Sequence, residues 1–334
     1  MIISRTPYRV SFFGGGTDYP SYYLQHGGRV LAAAIDKYCY LVVRALPPFF
    51  HHRHRIVYSR TELVNEIDEI QHPSVRETLR YLGVEYGVSV HHDGDMPAQS
   101  GMGSSSAFTV GLLNSLHALE NRMISRRDLA RSAIYIEQVM IRENVGSQDQ
   151  TMSAHGGLNL VDFAPNGEIV VNPVIMKPEI LQDFESRLLL VFTGHSRSAS
   201  EIAAEQIQAL PGKLGAMEEM KNLVDRALAL LTADTPDLDA FGPLLNETWK
   251  IKRELSTRIT TPEIDDIHRT AMSNGALGGK LLGAGGGGCM LFYVGRENRE
   301  RLIRALHDYL VIPFRFDFDG SRIIVYDPDN RGTA

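Results

Sequence analysis

Cysteine is scarce: Cys39 and Cys289 are the only two in 334 residues, and they stand far apart. That excludes an oxidised disulfide framework and points to a reducing compartment. No apolar run approaches the roughly 18 residues of a membrane-spanning helix. The start, Met1-Ile2-Ile3-Ser4-Arg5, has neither the basic opening nor the apolar centre of a secretory signal. The expectation is a cytoplasmic protein with no membrane partner. Internal repeats and low-complexity linkers are missing too. Basic charge is not in excess: 34 Lys and Arg against 40 Asp and Glu leave a net charge of −6, which argues against a nucleic-acid partner.

What is present is an ordinary globular composition, 43% hydrophobic and 22% charged. A chain of this length can bury a full core and suggests about two domains. The charge is uneven. Residues 1–60 carry eight basic residues and two acids, so this segment is +6 and the remainder −12. Such a segment could face a small anionic ligand, or be scattered solvated surface. Arg9–Phe13, Leu31–Ile35, Tyr38–Ala45, Arg55–Tyr58 and Val88–His92 read as strands. Helical spacing dominates Ser105–Glu120 and Arg126–Glu143, and strands return at Gly157–Phe163 and Leu188–Thr193. Helices at Ser198–Gln208, Lys213–Leu231, Phe241–Leu255 and Glu297–Leu310 are joined by strands at Cys289–Val294 and Ile323–Tyr326. The result is an α+β chain with an expected boundary near residues 180–187, giving domains 1–185 and 186–334.

Three glycine-rich stretches carry the chemistry. In the first, strand Arg9–Phe13 stops at Gly14-Gly15-Gly16 and continues as Thr17-Asp18-Tyr19. By itself this is a turn in which Asp18 caps. In the second, Pro97 through Ala107 places Gly101, Gly103 and the serines 104, 105 and 106 directly before an amphipathic helix. Backbone N–H groups there can form a nest for anions, backed by the helix N-terminus, while the hydroxyls donate to phosphate or ligate Mg²⁺. A turn with serine N-caps is the alternative. It is neither a Walker A loop nor a dinucleotide fingerprint. The third has seven glycines in the eleven positions from Gly278 to Gly288. It suits close backbone approach to a ligand or another loop, or else a hinge between domains. The cluster His51-His52-Arg53-His54-Arg55 fits no closed zinc spacing. It reads as a solvated loop or the border of a nucleotide base.

Together, in this order, the three stretches resemble the motifs of the GHMP small-molecule kinases, which include galactokinase, homoserine kinase, mevalonate kinase and phosphomevalonate kinase. The resemblance runs from Arg5 to Cys289. Within that superfamily, Phe12 through Tyr19, Ile35-Asp36-Lys37-Tyr38, Thr193-Gly194-His195-Ser196-Arg197 and Trp249-Lys250-Ile251-Lys252-Arg253 resemble the bacterial D-glycero-D-manno-heptose 7-phosphate kinases. Galactokinases carry a Glu-His pair where this chain has Gly15-Gly16, which argues against galactose. Fucokinase-like enzymes share much of the pattern.

The resemblance implies a two-domain fold, with a left-handed β-α-β unit in the N-terminal domain, a ferredoxin-like C-terminal domain, and the active site between them. It implies ATP and Mg²⁺ as cofactors and Asp149 as the catalytic aspartate, with Arg9 beside it as its basic partner. Gly101, Gly103, Ser104, Ser105 and Ser106 would bind ATP, while Ser105 and Glu137 would hold the metal. Gly15, Gly16, Thr17, Asp18, Gly285 and Gly286 would meet the sugar. A substrate already carrying a phosphate needs a second cationic site, for which Arg197 is the first candidate and Lys250, Lys252, Arg253 and Lys280 are others. The implied reaction is phosphorylation of the anomeric hydroxyl of a sugar phosphate, heptose 7-phosphate to the 1,7-bisphosphate, for nucleotide-activated heptose synthesis. The alternatives are a fucokinase-like enzyme acting on a free sugar, or a non-catalytic ATP- and sugar-binding protein of the family. The expected partners are small molecules only, and the chain would act as a monomer or homodimer.

Overall fold

A computed structural model describes residues 1–194 and 199–327. In chain order the first sheet takes β1 (Ile2–Phe13), β2 (Gly28–Ala45), β3 (His54–Val57), β4 (Thr61–Val64), β5 (Val88–Gly94), β6 (Leu158–Phe163) and β7 (Ile169–Pro173). The second takes β8 (Leu188–Phe192), β9 (Ala276–Leu281), β10 (Cys289–Val294) and β11 (Leu310–Ile312). The last strand, β12 (Arg322–Tyr326), returns to the first sheet and pairs antiparallel with β1. The division at residue 185 therefore does not separate the sheets: the chain crosses back after β11.

The first sheet runs β12-β1-β2-β5-β3-β4, with the β6–β7 hairpin branching from β2. Its parallel pair is β3 with β5. The two strand runs expected at 31–35 and 38–45 are one 18-residue strand, β2. The apparent gap is a bulge: Pro7 pairs with Tyr38 but Tyr8 with Ile35, leaving Asp36 and Lys37 looped out of register. The second sheet has the order β11-β8-β10-β9, all antiparallel. Counted along this half of the chain that is 4-1-3-2, the ferredoxin-like order expected.

Helices cover these sheets. They are α1 (Pro20–His26), α2 (Pro73–Leu82), α3 (Ser104–Leu119), α4 (Arg126–Tyr135), α5 (Gln148–His155), α6 (Pro178–Ser186), α7 (Ala199–Ala209), α8 (Leu214–Leu231), α9 (Phe241–Arg253), α10 (Pro262–Ser273) and α11 (Arg299–Ala305). The helix expected over 126–143 changes character midway. After Tyr135 it widens to a π-helix over Ile136–Ile141, then stops at Arg142, whose φ is +64°. Such widenings concentrate at functional sites. Among the described residues no helix is long and apolar enough to cross a membrane.

One aromatic cluster joins the halves. Phe12 of β1 meets Phe184 edge-on at 5.8 Å, Phe241 at 5.7 Å and Phe316 at 6.2 Å, and all four are buried. Burying such rings favours association by about 1.5–3 kcal/mol each. The end of β1 is thereby locked against the second half of the chain, which places Arg9, Ser11 and the Gly14-Gly15-Gly16 turn at the junction.

Candidate active site

A cavity of about 190 Å³ lies at this junction, enclosed by the serine loop, the turn after β1, the segment from Glu143 to Asp149, and the segment after β9. Helix α3 begins at Ser104 behind Gly103, whose φ is +73°, and no side chain caps it. The loop hydroxyls are therefore not spent as N-caps, and the first-turn N–H groups stay available to an anion. Gly101 and Gly103 both hold a left-handed backbone, φ +79° and +73°, that favours glycine, and both are crowded. A Cβ on Gly101 would press within 2.9 Å of the Leu282 carbonyl oxygen, and one on Gly103 within 3.1 Å of Asp149.

Asp149 stands in the first turn of α5, where the helix N-terminus favours a carboxylate. Arg9 grips it with both ends of its fork. Its Nε donates to Oδ1 at 2.8 Å and its Nη2 to Oδ2 at 2.9 Å, while Nη1 donates to the Gly101 carbonyl at 2.7 Å. Arg9 is 3% exposed and Asp149 15%, so the acid keeps a face on the cavity. Asp18 is buried alongside. It accepts from the Gly16 N–H at 2.9 Å, the Gln148 N–H at 3.1 Å and the Gln148 amide at 3.2 Å. Burial and then the neighbouring Asp149 charge push its carboxyl above the usual range. A Cβ on Gly146 would fall 1.9 Å from an Asp18 oxygen, so this glycine is what lets the two loops close.

Glu137 projects from the π-helix and is wholly buried behind the serine loop. Ser106, not Ser105, donates to it at 2.8 Å, and Gln150 donates to the same oxygen. Burial pushes its carboxyl up to about 7 against the hydrogen bonds that oppose the shift. Ser105 is exposed at the rim, and Glu143, which no motif marked, lines the cavity nearby with its carboxyl also raised by burial.

Arg9, Gly15, Gly16, Asp18, Gly101, Gly103, the three serines and Asp149 thus share one cavity. Thr17 does not face it: its hydroxyl donates to the Gly14 and Arg29 carbonyls and holds the turn. Gly285 and Gly286 rest instead on Ile259, and Gly283 and Ala284 line the cavity in their place. Arg197 lies outside the described residues. Of the other cationic candidates, Lys250 is exposed and Arg253 pairs with Asp265 at 2.9 Å, whereas Lys252 and Lys280 are buried and line the cavity. Ser11 Oγ and Gln148 Oε1 are buried polar atoms without a hydrogen-bond partner, and both residues line this cavity. Sequence reasoning missed them; for Gln148 the signal was its place beside Asp149. The histidine cluster is only partly a solvated loop, because His54 is buried in β3. No metal-binding group of His, Cys, Asp and Glu is found among the described residues.

A roomier hollow, about 420 Å³, opens at the other end of α5 among Arg126, Arg127, Arg131, His155 and the β6–β7 hairpin. Two of its three arginines are already engaged: Arg126 donates to the His155 and Asp319 carbonyls, and Arg127 pairs with Glu168 at 3.5 Å.

Residues 71–157 match the family model described as GHMP kinases N terminal domain, and residues 220–312 the one described as GHMP kinases C terminal. A D-glycero-alpha-D-manno-heptose 7-phosphate kinase of Campylobacter jejuni is 30% identical over 318 residues, covering 91% of this chain and 93% of that protein. A bifunctional fucokinase/GDP-fucose pyrophosphorylase of Arabidopsis thaliana is 25% identical, covering 89% of this chain and 30% of that longer protein. A solved D-glycero-D-manno-heptose 1-phosphate kinase of Bacteroides thetaiotaomicron superposes with a TM-score of 0.79 at 26% identity, covering 98% of this chain and all of that one. With both halves matched and the three motifs folded around one charged cavity, the chain belongs to the GHMP kinase family and is a kinase that transfers phosphate to a hydroxyl group.

Proposed function

We propose that the protein phosphorylates the anomeric hydroxyl of a sugar phosphate with ATP, most specifically D-glycero-D-manno-heptose 7-phosphate to the 1,7-bisphosphate. The carrying observation is the Arg9–Asp149 fork beside an uncapped serine loop in a shared cavity. Phosphoryl transfer needs positioning, charge neutralisation and an acceptor for the hydroxyl proton. Asp149 supplies the acceptor: each carboxylate oxygen keeps a lone pair beyond the one Arg9 engages. Arg9 fixes the direction in which those lone pairs point. Asp18 and Gln148 face the cavity beside Asp149 and suit hydroxyls of the acceptor; the unpaired Gln148 oxygen is a ready hydrogen-bond acceptor.

The oxygen-rich set of Glu137, Glu143 and the loop serines fits Mg²⁺, which takes hard oxygen donors, one or two carboxylates and phosphate. When bound there, the ion would offset phosphate charge. Glu137 and the loop hydroxyls would hold it, with Ser106 already turned toward Glu137.

The heptose reading is supported by the 30% relative and the Bacteroides structure. The fucokinase relative keeps a free sugar as the second reading. ADP release should be measured with Mg-ATP across heptose 7-phosphate, free heptose, fucose, galactose and mannose. Turnover confined to heptose 7-phosphate supports the proposal; turnover on fucose alone replaces it, and silence on every sugar revives the non-catalytic alternative.

A further inference from the structure

Lys252 and Lys280 sit where lysines are costly. Lys252, 7% exposed, rises from α9 and donates to the Leu281 and Gly283 carbonyls, the first at 2.8 Å. Lys280, 3% exposed, reaches from β9 across the domain junction to the Ser11 and Phe12 carbonyls of β1, at 2.9 and 2.8 Å. Burying an ammonium without a counter-ion is expensive, and carbonyl dipoles offset only part of that cost. Among the described residues no carboxylate is in ion-pair reach of either group. Asp149 is taken by Arg9, and Asp18 by backbone and Gln148 donors. Three cations, Arg9, Lys252 and Lys280, therefore converge on one wall of the cavity with one carboxylate between them.

A purely structural lysine need not face a cavity. Lys280 has a structural task, tying the two halves, but Lys252 lies within the second half alone. Its head is fixed to Gly283, and Gly283 is stacked on Gly101 of the serine loop, where an added Cβ would come within 2.6 Å of the Gly101 Cα. The ammonium is thus mounted on the strip that clasps the phosphate loop, with Arg9 as its charged neighbour.

Resting on the kinase reading above, we infer that Lys252, flanked by Arg9 and Lys280, is the counter-charge for the phosphoryl group in transfer, and that this wall is short of negative charge until that dianion arrives. A phosphate dianion bound here supplies the partner both lysines lack, and the third N–H of Lys252 remains free to donate to it. The group under transfer is favoured over the acceptor's own phosphate because Lys252 is held against the serine loop and Arg9.

One consequence is measurable apart from turnover. Burial, then the Arg9 charge, lowers the Lys252 ammonium to about 7. The groups facing it are Arg9 from β1 and Lys280 from β9, with Asp149 held by Arg9 and Asp18 and Glu143 across the cavity. At pH 8 Lys252 is then largely neutral in the free protein, and a dianion placed beside it draws a proton in.

The test is calorimetric titration of the full chain with Mg²⁺ and either ADP or the non-hydrolysable analogue AMPPNP, in buffers of different ionisation enthalpy at pH 8. AMPPNP should take up about half a proton or more beyond ADP, and Lys252→Met should abolish that difference while still binding ADP. Lys252→Arg, charged throughout, should also show no uptake yet keep more turnover than Lys252→Met. In steady state Lys252→Met should lower kcat with little change in KM for ATP. Equal proton uptake with ADP and AMPPNP, or a difference that survives in Lys252→Met, overturns the inference. Uptake that appears only when heptose 7-phosphate is added to the ADP complex reassigns Lys252 to the acceptor's phosphate and also overturns it. Failure of both nucleotides to bind the wild-type chain strikes the kinase reading itself. Thermal unfolding of each variant separates loss of fold from loss of charge.

Discussion

Helix α5 has a cavity at each end, and the larger is not the one to which we assign the chemistry. At its N-terminal end about 190 Å³ is walled by Asp149, Arg9, Asp18, two buried lysines and polar atoms with no partner of their own. At its C-terminal end about 420 Å³ is lined by arginines, yet Arg126 is spent on carbonyls and the rest is mostly apolar hairpin. The difference is unfinished bonding. A site built for a ligand keeps charges and hydrogen-bonding groups uncompensated until the ligand comes, at a cost in stability. A gap left by packing has settled most of its polar groups already.

The contrast can be broken by substitution at either end. The largest effect should come from Asp149→Asn, which keeps the shape and removes the proton acceptor: kcat should fall by about 10³-fold while calorimetry still finds ATP bound. A variant with wild-type turnover removes Asp149 from its role. Next, Glu137→Gln should cost about 10²-fold and raise the Mg²⁺ concentration at half-maximal rate; an unchanged metal dependence would leave Glu137 as core packing. A smaller effect belongs to Lys252 in the ligand-free protein. Its ammonium falls from 10.5 to about 7 on folding, so between those values the unfolded chain binds more protons. Stability should therefore climb as pH rises from about 7 to 10, and climb less steeply in Lys252→Met, in denaturant unfolding. At the other cavity, Arg126→Ala should lower stability by about 0.5 kcal/mol, through two exposed hydrogen bonds that water replaces, with kcat intact. Arg131→Glu should change stability by less than about 0.5 kcal/mol and turnover not at all. A kinetic effect there would make the larger hollow a ligand site after all.

How much of this could be read from the residues varies with distance along the chain. Local signals held well: β10 falls on Cys289–Val294 as the β-rich run implies, and α3 follows the serine loop within a residue. The Arg9–Asp149 fork joins positions 140 apart, and only the likeness to known motifs paired them; neither residue's neighbours announce the other. The run Trp249 through Arg253 offers three cations without showing which of them turns inward. Lys252 is buried because α9 lies along β9 and turns that one face to the cavity, while Lys250 and Arg253 stay out. Asp36 and Lys37 read as a strand break because a bulge and a gap have the same local sequence signature. The π-helix under Glu137 had no signal in apolar spacing, since widening one turn changes which backbone groups bond, not which residues are apolar.

The return of β12 to β1 has a bearing on how the chain is made. Residues 2–5 find their outer neighbours at 322–326, some 320 positions later. Emerging from a ribosome, the first sheet has its opening strand paired on one side only, and its other edge stays bare while the whole second half is synthesised. Folding of the first half is thus completed last, not first, and a nascent chain stalled anywhere before β12 presents an open strand edge to whatever passes. Loss of this short strand would favour aggregation through the bared edge of β1 without touching the cavity.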